Sequence, residues 1–240
     1  MADKTVIVTG ASQGIGAGLA KRFVERGYNV VATSRRVSHS AELSSSERLA
    51  RVDGDIAEPE TANAVVETAL ARFGSIDALV NNAGIFFTKP FIDYTIEDYR
   101  RLAATNLEGF LHLTQRVVRQ MLAQKRGGSI VSVTTPMVSH PIAGVNASVA
   151  MLTKGGIEAM SKNIAMEYAK ERIRANMVAP GVVDTPLHKD NPKDFLKTLS
   201  PLQGVSTVQE IVDAVLFLTV APRITGEVLH VDGGAHLGRW

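Results

Sequence analysis

The chain contains no cysteine in its 240 residues, so neither a disulfide framework nor a thiolate metal site is open to it. That composition fits a reducing compartment. Met1-Ala2-Asp3-Lys4 runs directly into an apolar segment without the h-region of an export signal, and the expectation is a cytoplasmic protein. No run reaches the ~18 apolar residues of a membrane helix, which excludes a helical span. Neither sign of charge is in excess. Twenty-six Lys and Arg against 24 Asp and Glu leave +2, scattered along the chain, so no nucleic-acid or membrane surface is expected. No low-complexity linker or solenoid-period repeat divides the chain, and one domain over residues 1–240 is the default. Metal sites are not expected. Aromatic residues are few, and none of the four tyrosines falls between Thr135 and Tyr168.

What the chain does have is alternation. Short Val- and Ile-rich runs are separated by longer helical patterns, as in βαβ units with a parallel sheet buried on both faces. Strands are expected at Thr5–Thr9, Asn29–Thr33, Ala50–Asp53, Ala78–Asn81, Ser129–Thr134, Arg174–Val178 and Val228–Val231. Helices are expected near Gly14–Glu25, Glu60–Ala71, Thr95–Gln124, Ser148–Ala169 and Val208–Leu218. The fold class is therefore α/β, a doubly wound parallel sheet of about seven strands with helices on both faces. A long irregular stretch at about 182–206, with Pro186, Pro192 and Pro201, follows a strand end. Ligands bind beyond the carboxyl ends of strands in such sheets, so this stretch is expected to be a lid or substrate loop.

The first strand leads into Gly10, Gly14 and Gly16 and then into an amphipathic helix. Glycines there permit a tight turn and let backbone N–H groups approach a pyrophosphate at a helix N-terminus. The second strand ends in Ser34-Arg35-Arg36. An acidic side chain at position 34 would accept hydrogen bonds from an adenosine ribose and repel a 2′-phosphate. Serine does neither, and a guanidinium fork matches phosphate oxygens, so the pattern favours NADP(H).

These segments, with TGASQGIG at Thr9–Gly16, NNAG at Asn81–Gly84, Asn106, APG at Ala179–Gly181 and VDGG at Val231–Gly234, resemble the short-chain dehydrogenase/reductase family over essentially the whole length. The resemblance implies a single-domain Rossmann-type fold and an NADP(H) site formed by Gly10, Ser12, Gly14, Ile15, Gly16, Ser34, Arg35, Arg36, Asp55, Ile56, Asn82, Ala83, Gly84, Lys154, Pro180, Gly181, Val183 and Thr185. It also implies a Ser-Tyr-Lys set with a helical Asn as the chemical centre. Asn106 matches the asparagine and Lys154 the lysine. Thr135 stands closest to the serine, although the interval from Thr135 to Lys154 is about two residues longer than the family's. The tyrosine has no counterpart, because the position four residues before Lys154 is Ala150.

Two readings follow. One is an NADPH-dependent carbonyl reductase or alcohol dehydrogenase acting on a small carbonyl or alcohol substrate with an altered proton donor. A lysine-water relay in the space left at Ala150 would serve, with His140 and His188 as other candidates. General acid catalysis typically contributes ~10²–10⁴-fold, so its loss need not abolish hydride transfer. The other reading is an NADP(H)-binding regulatory module that kept the fold and lost the chemistry. Phe86, Phe87, Met137, Val138 and Leu187 are candidate pocket-lining residues that suggest an apolar or mixed substrate. A homo-oligomer, tetramer or dimer, is expected through the long helices around Asn106 and Lys154.

Overall fold

A computed structural model describes residues 3–188 and 191–238. The strands are β1 (Thr5–Thr9), β2 (Asn29–Ser34), β3 (Leu49–Asp53), β4 (Ala78–Asn81), β5 (Gly128–Val133), β6 (Ile173–Pro180) and β7 (Val228–Val231). All pair in parallel, in the order β3-β2-β1-β4-β5-β6-β7. The helices are α1 (Gly14–Glu25), α2 (Pro59–Phe73), α3 (Ile96–Ala103), α4 (Gly109–Gln124), α5 (Ser148–Glu167), α6 (Lys193–Lys197) and α7 (Val208–Val220).

Side chains alternate across a strand, and here both alternating sets are apolar. Val6, Val8, Val30, Ala32, Val131 and Val178 face Leu19 and Phe23 of α1 and Ile211, Val212 and Val215 of α7. Ile7, Val31, Leu79 and Ile130 face Val65 of α2, Leu113 and Val117 of α4 and Ala165 of α5. A sheet dry on both sides has one wet end per strand, and β1 lies between β2 and β4, where the chain reverses its order of winding. Ligand crevices form at such a reversal.

The long helix expected over Thr95–Gln124 is two helices. α3 ends at Ala103, a π-helical turn spans Ala104–Glu108, and α4 starts at Gly109. Periodicity could not reveal this, because the turn keeps the chain helical while adding a residue to one loop of the spiral. The start of α3 was legible, since Thr95 and Asp98 form a reciprocal capping box. Elsewhere the strand and helix ends differ from expectation by one or two residues, as frayed ends do. The segment 182–206 is less irregular than expected. It contains a short helical turn at Pro186–His188, the five-residue α6 and a parallel bridge between Val183 and Ser206.

The turn after β1 is tied to the turn after β4 through Thr9, which is 2% exposed. Its hydroxyl accepts from the backbone N–H groups of Asn82 (3.0 Å) and Ala83 (2.9 Å). Thr9→Val keeps the shape and leaves both donors without a partner, at a cost of roughly 1–3 kcal/mol for each buried group. A lowered urea midpoint with an unchanged m-value is expected, and an unmoved midpoint would refute the role given to this hydroxyl.

Candidate active site

The glycine turn is shaped by close approach. Gly10 has φ +65°, and a Cβ there would stand 2.9 Å from Ala83 Cα and from Asn82 Nδ2. A Cβ on Gly16 would lie 2.2 Å from the Gly10 carbonyl oxygen. Only hydrogen fits at either place, so the turn is drawn tight and α1 begins directly behind it. Asn82 fixes this from the opposite strand, its amide donating to the carbonyls of Thr9 (2.9 Å) and Gly10 (3.3 Å). Gly14, with φ +58°, faces Thr185, whose methyl would be 3.4 Å from an added Cβ. That contact brings the 182–206 segment against the turn. Ile15 packs into the core behind it.

At the end of β2, Ser34 pairs in register with Asp53 of β3, and its hydroxyl is buried without a hydrogen-bond partner. An orphaned buried hydroxyl is a group awaiting a ligand or water. Arg35 and Arg36 next to it are exposed. Asp55 accepts from the Ala57 N–H at 3.0 Å, while Ile56 packs under α4, so closely that a Cβ on Gly109 would stand 2.8 Å from its side chain. Past β6, the Gly181 N–H donates to the Val231 carbonyl at 3.0 Å, and its Cα hydrogens face Asp232 where a Cβ would be 2.9 Å away. Pro180 closes β6 opposite Val231, Val183 is buried, and Thr185 is half-buried. Ser12, Gly84 and Gly181 thus lie on loops that follow β1, β4 and β6, and Gly14 opens α1, all at the carboxyl end of the sheet. Glycines cut to the width of a backbone, an orphaned hydroxyl and two exposed arginines suit an elongated phosphate-bearing ligand.

Asn106 sits in the π turn, 2% exposed. Its carboxamide accepts from the Ile85 N–H (2.9 Å) and donates to the Ile85 carbonyl (3.1 Å) and the Thr153 hydroxyl (2.9 Å). Thr153 in turn donates to the Ala150 carbonyl at 2.8 Å. The role of Thr153 was missed in the sequence, and its only signal was its place beside Lys154. The Lys154 ammonium donates to the Val133 carbonyl at 2.8 Å. It would be 3.3 Å from a Cβ on Gly84, and Asn106 Oδ1 would be 3.2 Å from the same point. Lys154, Asn106 and Gly84 therefore meet. Part of the lysine surface still opens to solvent, yet burial brings its pKa down to about 8.

Thr135 is less closely joined. It caps the turn Pro136–Val138, accepting from the Met137 N–H at 3.4 Å, and among the described residues no hydrogen bond links it to Lys154 or Asn106. Ala150 corrects the sequence reading most. The expected room for water is taken, because Ala150 is 1% exposed in an apolar cluster with Leu102 and Ala147 against which Ile85, Phe86, Phe87 and Tyr94 pack. The Tyr94 hydroxyl donates to the carbonyls of Phe87 (3.0 Å) and Asn146 (3.3 Å), so it holds two loops together. His188 is half-buried and its pKa is lowered by that burial. His140 is exposed and meets the edge of His236, which stacks on His230 at 4.0 Å and is held by Asp232. Met137 and Val138 do line a cleft of about 350 Å³, with Phe91, Ile142, Val145 and Met151 and with Lys89 and Asn146 as polar neighbours. Leu187 is 62% exposed. Among the described residues there is no group of metal-ligating side chains, and no helix is long and apolar enough to cross a membrane.

The model of a family described as enoyl-(acyl carrier protein) reductase matches residues 10–236. An L-rhamnose 1-dehydrogenase (NAD(P)(+)) of Sphingomonas sp. (strain SKA58) is 32% identical over 247 residues, covering 98% of this chain and 96% of the relative. The chain belongs to the short-chain dehydrogenase/reductase family. Another short-chain relative, a 3-oxoacyl-(acyl-carrier-protein) reductase of Chlamydia muridarum, is 35% identical over 252 residues and is covered to 98%, as is this chain. The crystal structure of a 3-ketoacyl-(acyl-carrier-protein) reductase from Brucella melitensis, complexed with NADH, superposes with a TM-score of 0.90 at 29% identity, over 97% of this chain and 98% of that one. The short-chain reductases are oxidoreductases of CH–OH and C=O groups that bind NAD(P)(H), and the carboxyl-end loops described above occupy the same fold.

The lowered pKa of Lys154 makes folding pH-dependent with a definite sign. Below about 8 the lysine is charged in both states and the folded state bears the full desolvation cost. Above the free-lysine value, ~10.4, it is neutral in both and the cost is gone. The contribution of this group to stability therefore rises across that window. Lys154→Met removes the titration, so any stability advantage of the variant at pH 7.5 should shrink by pH 10.5. Urea midpoints of both proteins at the two pH values test this, and a constant difference would refute it.

Proposed function

We propose that this protein is an NADP(H)-dependent oxidoreductase of the carbonyl reductase or alcohol dehydrogenase type in which the Lys154 ammonium takes the place of a tyrosine as proton donor. The meeting of Lys154, Asn106 and Gly84 carries the reading, since it sets a partly charged, partly dry ammonium at the crossing of β4, β5 and α5. Gly10, Ser12, Gly14, Ile15 and Gly16 hold the pyrophosphate and Asn82, Ala83 and Gly84 line the ribose side. Asp55 and Ile56 border the adenine, while Pro180, Gly181, Val183 and Thr185 border the nicotinamide end. When bound, the cofactor supplies or accepts a hydride. Everything else is done by the chain. Thr135 orients the carbonyl oxygen, Asn106 holds the Ile85 backbone and Thr153 in place, and Lys154 gives its proton to the oxygen as negative charge develops there. The buried methyl of Ala150 argues against a water relay on that side of the lysine, so the donor is Nζ itself.

Preference for NADP(H) is supported by Ser34, whose orphaned hydroxyl bears no charge, and by the exposed guanidinium groups of Arg35 and Arg36. The apolar lining of the cleft beside Met151 favours a substrate with a hydrocarbon body over a polyhydroxylated one. Leu111 on α4 and Leu152 and Met166 on α5 are exposed apolar side chains, which support pairing of copies through those helices into a dimer or tetramer.

Two outcomes are expected. Arg35→Asp should reverse the order of NADPH and NADH affinities in direct titrations, and an unchanged order would remove the phosphate fork from the account. In single-turnover reduction of a carbonyl substrate, the wild-type rate should fall as pH rises through about 8, because the acid form of Lys154 is lost. Lys154→Met should lower that rate ~10²–10⁴-fold and weaken cofactor binding, whereas His140→Ala and His188→Ala should leave both near wild type. A large loss on histidine removal with Lys154→Met silent would reject the lysine. Cofactor binding without turnover on a broad carbonyl panel would instead support a binding-only regulatory module.

A further inference from the structure

α1 starts without an acidic residue in its first turn, and Gln13 at its N-cap offers no side-chain hydrogen bond. A carboxylate from elsewhere fills that role. Glu42, 28 residues downstream, accepts from the Gly14 N–H at 3.3 Å. It stands at the tip of a strap that crosses the glycine turn between β2 and β3. Val37 and Leu43 anchor the strap in the core, at 0% and 5% exposure. The Arg51 guanidinium donates to the carbonyls of Ser38 (3.2 Å) and Leu43 (2.6 Å), and Asp53 accepts from the Ser38 N–H at 2.8 Å. Above these anchors the Ser40 hydroxyl donates to the Ser12 carbonyl at 2.6 Å and accepts from the Glu42 N–H at 3.3 Å. The strap is therefore fixed against the turn, while the Glu42 residue is exposed and its carboxylate is bound to the turn by one long hydrogen bond.

We infer that Glu42 is an occluding carboxylate: it satisfies the N-terminus of α1 in the free protein and competes there with the phosphate groups of the dinucleotide. The inference rests on the dinucleotide reading of the glycine turn. The turn suits an anion, since it opens α1, whose N-terminus is the positive end of the helix dipole and has no acidic side chain of its own in the first turn. An anion already present must be displaced or endured. Two unit charges about 4 Å apart in a water-like medium repel by about 1 kcal/mol, a factor of about five in affinity. A side-chain rotation that breaks one long hydrogen bond relieves this without moving the strap, so Glu42 limits affinity while Ser34 and the arginines set selectivity.

The experiment is calorimetric titration of the full-length protein and its Glu42→Gln variant with ADP-ribose, which carries the pyrophosphate, and with adenosine, which does not. Glu42→Gln should bind ADP-ribose about fivefold more tightly at low salt, with the gain shrinking at high ionic strength, and should leave adenosine binding unchanged. Glu47→Gln, which removes an exposed carboxylate of the same loop with no contact to the glycine turn, should change neither. Circular dichroism checks that the variants are folded, as expected for exposed positions. Equal ADP-ribose affinity in wild type and Glu42→Gln, or an equal gain for adenosine, would overturn occlusion while leaving the dinucleotide site intact. Absence of ADP-ribose and NADPH binding in every protein would reject the dinucleotide site and the occlusion with it.

Discussion

The crossing of the loops after β1 and β4 governs the rest of the site. Four groups compete for the same few ångströms there: the Gly10 backbone, the Gly16 backbone, the Asn82 side chain and the Thr9 hydroxyl. Two glycines resolve the steric conflict, and Asn82 with Thr9 resolves the polar one by pairing with the carbonyls and N–H groups left exposed where the strands end. Because backbone polar groups buried there must find partners, the turn has little freedom to drift. Gly84 then arrives opposite Lys154, and the start of α1 arrives opposite the 182–206 segment. Small errors at this crossing would propagate to Gly84, Lys154 and the start of α1.

Around that fixed point the electrostatics are sparse. Lys154 is a cation without a carboxylate partner among the described residues; it is held by one carbonyl and by the geometry of Asn106. Burial alone pulls its proton affinity down toward the working range. Glu158, one turn further along α5, is also buried, and burial raises its pKa. The same face of one helix thus bears two ionisable groups that each resist carrying charge, separated by a helical turn rather than paired.

Sequence periodicity located the sheet well because its strands are dry on both faces, so that runs such as Thr5–Thr9 and Ala78–Asn81 are apolar without interruption. The glycine turn and Lys154 were equally plain, since each depends on residue type at a short fixed spacing. What could not be read was set by distant contacts. Asn106 pairs with the backbone of Ile85, 21 residues away, and it lies in the π turn that interrupts what otherwise reads as one helix. The surroundings of Ala150 depend on Phe86, Phe87 and Tyr94, which lie on a loop with no period to betray its course. A small side chain at this position suggests a void, but Ala150 is closely covered by apolar neighbours, in keeping with the packing density of protein interiors.

The π turn has a consequence for the architecture of the long helical segment. Each extra residue in a helix advances its face by about 100°, so the apolar stripe of α4 does not continue the stripe of α3. α3 leans on α5, while α4 turns to the sheet and α2. Two helices joined through the π turn that holds Asn106 therefore serve two separate layers, their apolar faces out of phase. A wholly α-helical version of this segment would turn the apolar face of α4 by about 100° from the sheet it now covers.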